Sequence, residues 1–76
     1  MLRDEDERLL CVGLNVNRYR KRAKLSVETL ATKAGLSVST IEKLEGPTSP
    51  KNITLKNLFK ISDALEIDIA KLFMFD

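Results

Sequence analysis

The chain has 76 residues, a formal net charge of +2, 43% hydrophobic residues, a single cysteine and no histidine. This length predicts one domain with one modest core and no room for a second, ligand-sensing domain. Cys11 alone cannot close an internal disulfide, and without histidine the usual zinc-ligand sets are missing, so the fold must rest on helix packing, with or without a partner subunit.

The lone cysteine and the charged amino terminus, Met1 to Arg8, predict a cytoplasmic protein without a secretory signal. No apolar run approaches the roughly 20 residues of a membrane helix. Charge is placed unevenly. Asp4, Glu5, Asp6 and Glu7 stand together, and Arg3 is the only basic residue before position 8, so residues 8–76 carry 12 basic side chains against 7 acidic ones. We read residues 1–8 as a charged N-terminal extension and residues 9–76 as the domain.

The first predicted element is a helix from Glu7 to Lys24, where Leu9, Val12, Val16 and Tyr19 recur at helical spacing. Leu10 and Leu14 form a second apolar edge, either wide core or an oligomer contact. Arg18, Arg20, Lys21, Arg22 and Lys24 then form a basic block that is either a solvated face or the footprint of a polyanion. Ser26 is an N-cap for a second helix, Val27 to Ala34, with Leu30, Ala31 and Ala34 inward and Gly35 at its end. Ser37 caps a third, Val38 to Glu45, with Ile41 and Leu44 inward.

The cluster Gly46-Pro47-Thr48-Ser49-Pro50 ends that helix and opens the longest loop. Thr54 caps a fourth helix with Leu55, Leu58, Ile61 and Leu65 in period. Asp68 caps a fifth, short helix with Ile69, Leu72 and Phe73 as its apolar positions. The expected fold class is all-α, without strands. Phe73, Met74 and Phe75, beside Ile67 or Ile69, are either an interface or ordinary core closure.

The stretch Val27 to Gly46, VETLATKAGLSVSTIEKLEG, resembles the helix-turn-helix of the lambda-repressor, Cro and Xre-like family. Ala31 is small where two helices would cross, Gly35 turns the chain, and Leu30, Leu36, Ile41 and Leu44 would lock the second helix on the first. The likeness extends upstream through Val12-Gly13, Val16, Tyr19-Arg20 and Leu25-Ser26. Downstream it takes in Ile61, Ala64-Leu65, Ile67 and Leu72-Phe73. It implies a five-helix compact bundle of the lambda-repressor-like type, in which Arg20 pairs with Glu45.

By the same resemblance the helix after Ser37 lies in the major groove of double-stranded DNA. Ser37, Val38, Ser39 and Lys43 are then the base-contact candidates, through hydroxyl hydrogen bonds, a thymine-methyl contact and donation to guanine. Lys24, Ser26, Val27 through its N–H, Thr40 and Lys51 are the phosphate candidates. The chain departs from the family at Lys24, often glycine there, at Val27, often glutamine, and at Glu45-Gly46-Pro47 with Ile53 near the usual proline.

The resemblance implies a transcription regulator that needs no cofactor. One short recognition helix reads only a few base pairs, so we expect a homodimer on a pseudo-palindromic operator, and the absence of a sensing domain suggests control by concentration or by a protein partner. The alternative is an antitoxin-like dimerisation module that keeps the fold without DNA readout. An enzyme is not expected, because no histidine, activated nucleophile or glycine-rich phosphate loop is present.

Overall fold

Asp4 starts the first helix, its carboxylate accepting from the Glu7 amide at 2.8 Å. In the computed structural model, which describes residues 4–48 and 53–75, α1 runs from Glu5 to Arg22. It therefore begins two residues earlier than its apolar period suggested. The acids fill its first turn, and Arg20, Lys21 and Arg22 fill its last, the charge order that the helix dipole favours. It also ends two residues earlier, because Lys24 turns left-handed at φ 59° and the Leu25 amide bonds back five residues to the Arg20 carbonyl at 3.1 Å.

Helix α2 spans Val27–Ala34 and α3 spans Val38–Glu45, as the caps and apolar positions predicted. Helix α4 spans Leu55–Leu65, begun by Thr54 and closed by Glu66 at φ 57°. The expected fifth α-helix is a 3-10 helix, Ile69–Phe73, so the described residues hold four α-helices and no strand. Its geometry follows from its length. Asp68 caps it through the Ala70 amide, Lys71 bonds back three residues to the Asp68 carbonyl at 2.9 Å, and a five-residue segment has too few amides for a stable α-helical ladder.

One core joins all five elements: Val12 and Val16 of α1, Leu30, Ala31 and Ala34 of α2, Ile41 and Leu44 of α3, Leu58, Ile61 and Leu65 of α4, and Leu72 of the 3-10 helix. Leu30 and Ile41 are fully buried where α2 and α3 meet. Leu55, which continues the period of α4, is instead 59% exposed. Leu9 and Tyr19 are only half-buried, at the two ends of the inward stripe of α1.

Two polar or small residues in α1 set how closely its neighbours approach. A Cβ at Gly13 would overlap the Leu44 carbonyl oxygen, so only glycine lets α3 dock there. Buried Asn15 donates to the Leu72 carbonyl at 2.9 Å and the Met74 carbonyl at 3.2 Å, tying the last segment to the first helix. Among the described residues no helix is long and apolar enough to cross a membrane.

Candidate nucleic-acid interface

The turn between α2 and α3 is set by backbone hydrogen bonds. Gly35 takes φ 70°, and with it the Gly35 amide reaches the Thr32 carbonyl at 3.2 Å while the Leu36 amide reaches Ala31 at 2.9 Å. This paired closure ends α2 and sends the chain straight to Ser37. Small Ala31, 2% exposed, lies in the core that the two helices share. The apolar Leu36 leans on the same core from the turn.

Ile41 and Leu44 hold α3 against the core, and at about 100° per residue this turns Ser39, Glu42 and Lys43 outward. All three are exposed. Ser39 and Lys43 were expected there. Glu42 was missed, although its position between them in a helix with two inward residues was signal enough. The other two base-contact candidates have local duties. Ser37 caps α3, its Oγ accepting from the Thr40 amide at 3.1 Å and lying 2.8 Å from Thr40 Oγ1. Val38 is half-buried and packs against the core, a structural role beside the thymine-methyl contact expected of it.

The phosphate candidates fall mostly around the start of α2. Ser26 accepts from the Thr29 amide at 3.0 Å and donates to Thr29 Oγ1 at 2.9 Å, which leaves the Thr29 hydroxyl proton as the group available outward. Val27 is half-buried against the core, which accounts for an apolar residue at that site. Lys24 is exposed, Thr40 is half-buried beside Ser37, and Lys51 lies outside the described residues. The structure thus brings Lys24, Ser26 and Val27 together at one helix start, and Ser37, Val38, Ser39, Thr40 and Lys43 on another.

Arg20 fastens these two helices to α1. Its Nε lies 2.8 Å from Glu45 Oε2 and its Nη2 donates to Oε1 at 2.9 Å, while Nη1 donates to the Leu25 carbonyl at 2.7 Å. Asn17 adds a bond to Glu45 Oε1 at 2.7 Å, a partner that no pattern in the sequence named. One guanidinium therefore grips both the residue before the α2 cap and the last residue of α3. The hydrogen bond to Glu45 raises the Arg20 pKa further, against a smaller opposing effect of burial. The pairing inferred for Arg20 holds.

This assembly is a helix-turn-helix mounted rigidly on a third helix, and comparison with known proteins agrees. Residues 16–72 match the family described as helix-turn-helix. The chain belongs to that family in its Xre, lambda-repressor-like form, and is a DNA-binding transcription regulator.

Two solved structures give the likeness its particulars. One is the restriction-modification controller protein C.AhdI from Aeromonas hydrophila, 34% identical, with a TM-score of 0.78, covering 86% of this chain and 96% of that one. The other is the hypothetical transcription factor NHTF from Neisseria, 27% identical, with a TM-score of 0.82, covering 97% of this chain and 83% of that one. No curated protein matches the chain.

Proposed function

We infer that the protein reads a specific operator by laying α3 in the major groove, as a homodimer on a pseudo-palindromic site. The observation that carries this reading is the uncovered polar face of α3, Ser39 and Lys43 beside Ser37 and the half-buried Val38, held by a largely buried ion pair at its far end. A rigid, exposed helix with mixed donors is what base-edge recognition needs. Lys43 donates to guanine, Ser39 and Ser37 donate or accept, and the exposed part of Val38 meets a thymine methyl. Glu42, on the same face, accepts from a cytosine amino group.

Lys24, the Thr29 hydroxyl that the Ser26 cap leaves facing outward, the Val27 amide, Thr40 and Lys51 hold the phosphates and fix the register of α3. Two short recognition helices about one helical turn of DNA apart multiply a specificity that one alone lacks. The likeness to a restriction-modification controller favours that setting for this regulator.

Selection of bound sequences from random duplex DNA, followed by salt titration, tests the reading. A two-fold-symmetric motif should emerge, with affinity falling steeply with salt, at a slope of about 0.9 per phosphate neutralised. Lys43→Ala should cost about 1–3 kcal/mol at particular base pairs and relax the preference there, whereas Lys51→Ala should weaken all sequences alike. No enrichment over random DNA would leave the dimerisation-module alternative in its place.

A further inference from the structure

The outer face of α1 carries an apolar stripe that the fold covers only in part: Leu10 and Phe75 are half-buried, while Leu14 and Met74 stay open. Leu14 is 60% exposed on it, and Leu10 and Leu14, with Met74 at 60% exposure and Phe75 beside them, line an open groove of about 340 Å³ rimmed by Glu7 and Arg18. On a helix turning about 100° per residue, Glu7, Leu10, Leu14 and Arg18 lie within one arc of about 80°. That arc is opposite Val12 and Val16, which face the core. It also lies about a quarter-turn from Gly13, where α3 packs, so a partner seated on the stripe leaves the outer face of α3 open.

We propose that this stripe is the surface on which a second copy of the chain packs, with the two α1 helices antiparallel about a two-fold axis that crosses the stripe at the level of Val12 and Gly13. It rests on the dimer reading above and supplies that dimer with its surface. The charge order makes the stripe self-complementary. Glu7 and Arg18 are 11 residues apart, about 16.5 Å along the helix, with the two leucines between them. In the antiparallel arrangement each Glu7 meets the partner's Arg18, and the leucines close on the partner's stripe between two ion pairs. The same operation sets Asp4 toward the partner's Lys21.

A parallel pair would set acid on acid and base on base, so the pattern selects one orientation. The helix dipole explains acids at one end and bases at the other, but it makes no demand for a half-buried Leu10 and an exposed Leu14 between them.

Sedimentation equilibrium of the full chain decides the matter, with circular dichroism as the check on folding, since every substituted side chain is exposed. The unmodified protein is expected to dimerise, and Leu14→Glu to weaken dimerisation by roughly a hundredfold or more. Glu7→Arg and Arg18→Glu should each weaken it about tenfold, because each reverses two symmetry-related pairs, and the double variant should recover most of that loss. Phe59→Glu, on the exposed side of α4, should change nothing.

A dimer that survives Leu14→Glu, or a double charge variant no better than either single one, overturns the proposal and leaves the dimer reading standing on another surface. A protein that stays monomeric with and without its selected operator removes both.

Discussion

Arg20 and Glu45 show how much of the reading geometry hangs on one contact. With their side chains only 12% and 8% exposed, removing either partner strands the other in a poorly hydrated site. Arg20→Ala is expected to cost about 3 kcal/mol in denaturant unfolding, and Arg20→Lys roughly half of that, since an ammonium cannot span Glu45 and the Leu25 carbonyl together. The pKa of Arg20 is raised on folding, so its contribution is complete below the unfolded-state value and is lost only as pH climbs through the folded one. The cost of Arg20→Ala should therefore show no alkaline fade in the neutral range.

Lys24 poses the opposite case, a non-glycine residue at φ 59° with its side chain in solvent. Lys24→Gly should raise stability by about 1 kcal/mol while weakening DNA binding at low salt. An unchanged affinity would remove Lys24 from the phosphate contacts.

At the scale of elements, the packing of α1 on α3 depends on a missing side chain. Gly13→Ala improves helix propensity by about 1 kcal/mol, yet its Cβ would collide with backbone rather than with a movable side chain. A net destabilisation of about 2–3 kcal/mol in thermal or denaturant unfolding is expected.

The caps of α2 and α3 follow one pattern, serine bonded to a threonine three residues on. Ser37 is thus both the start of a helix and a base-contact candidate, and the two duties separate by substitution. Ser37→Ala should lose about 1 kcal/mol of stability, whereas Ser37→Asp keeps a capping acceptor and should stay within about 0.5 kcal/mol of the parent. The introduced carboxylate should nonetheless reduce operator affinity tenfold or more in a gel-shift titration, by repulsion from the phosphates. If Ser37→Asp binds as the parent does, the start of α3 does not face DNA.

For the whole molecule, closure depends on joining residue 15 to residues 72 and 74. Asn15 makes that join from within the core, 5% exposed, with both amide hydrogens on carbonyl oxygens. Asn15→Ala leaves those carbonyls without their donor and should cost about 2 kcal/mol, with faster amide exchange through the 3-10 helix. Because the same segment carries Met74 to the proposed two-fold surface, weaker dimerisation should accompany the loss. Of the apolar residues near the carboxyl end, Ile67, Ile69 and Phe75 lean on the core, and only Phe73 and Met74 remain largely open.

Local order is legible in the sequence alone. Ser26, Ser37, Thr54 and Asp68 cap what they were expected to cap, and Leu30, Ile41, Leu58 and Ile61 are buried as their spacing required. Capping and amphipathic period involve neighbours within a turn or two, so a linear reading reaches them. The resemblance carried the Arg20–Glu45 pair because its motif was intact.

Other features needed the assembled molecule. Gly13 under Leu44, Asn15 beneath the last segment and Asn17 on Glu45 join residues 28 or more positions apart, and no local pattern announces such partners. The core packing of Val38 was hidden because its neighbours are remote in sequence, and so was the tie of the last segment to α1 through Asn15. Propensity and period determine which segments are helical and which face turns inward, but which helix meets which, and what is left uncovered, is decided only when the core closes.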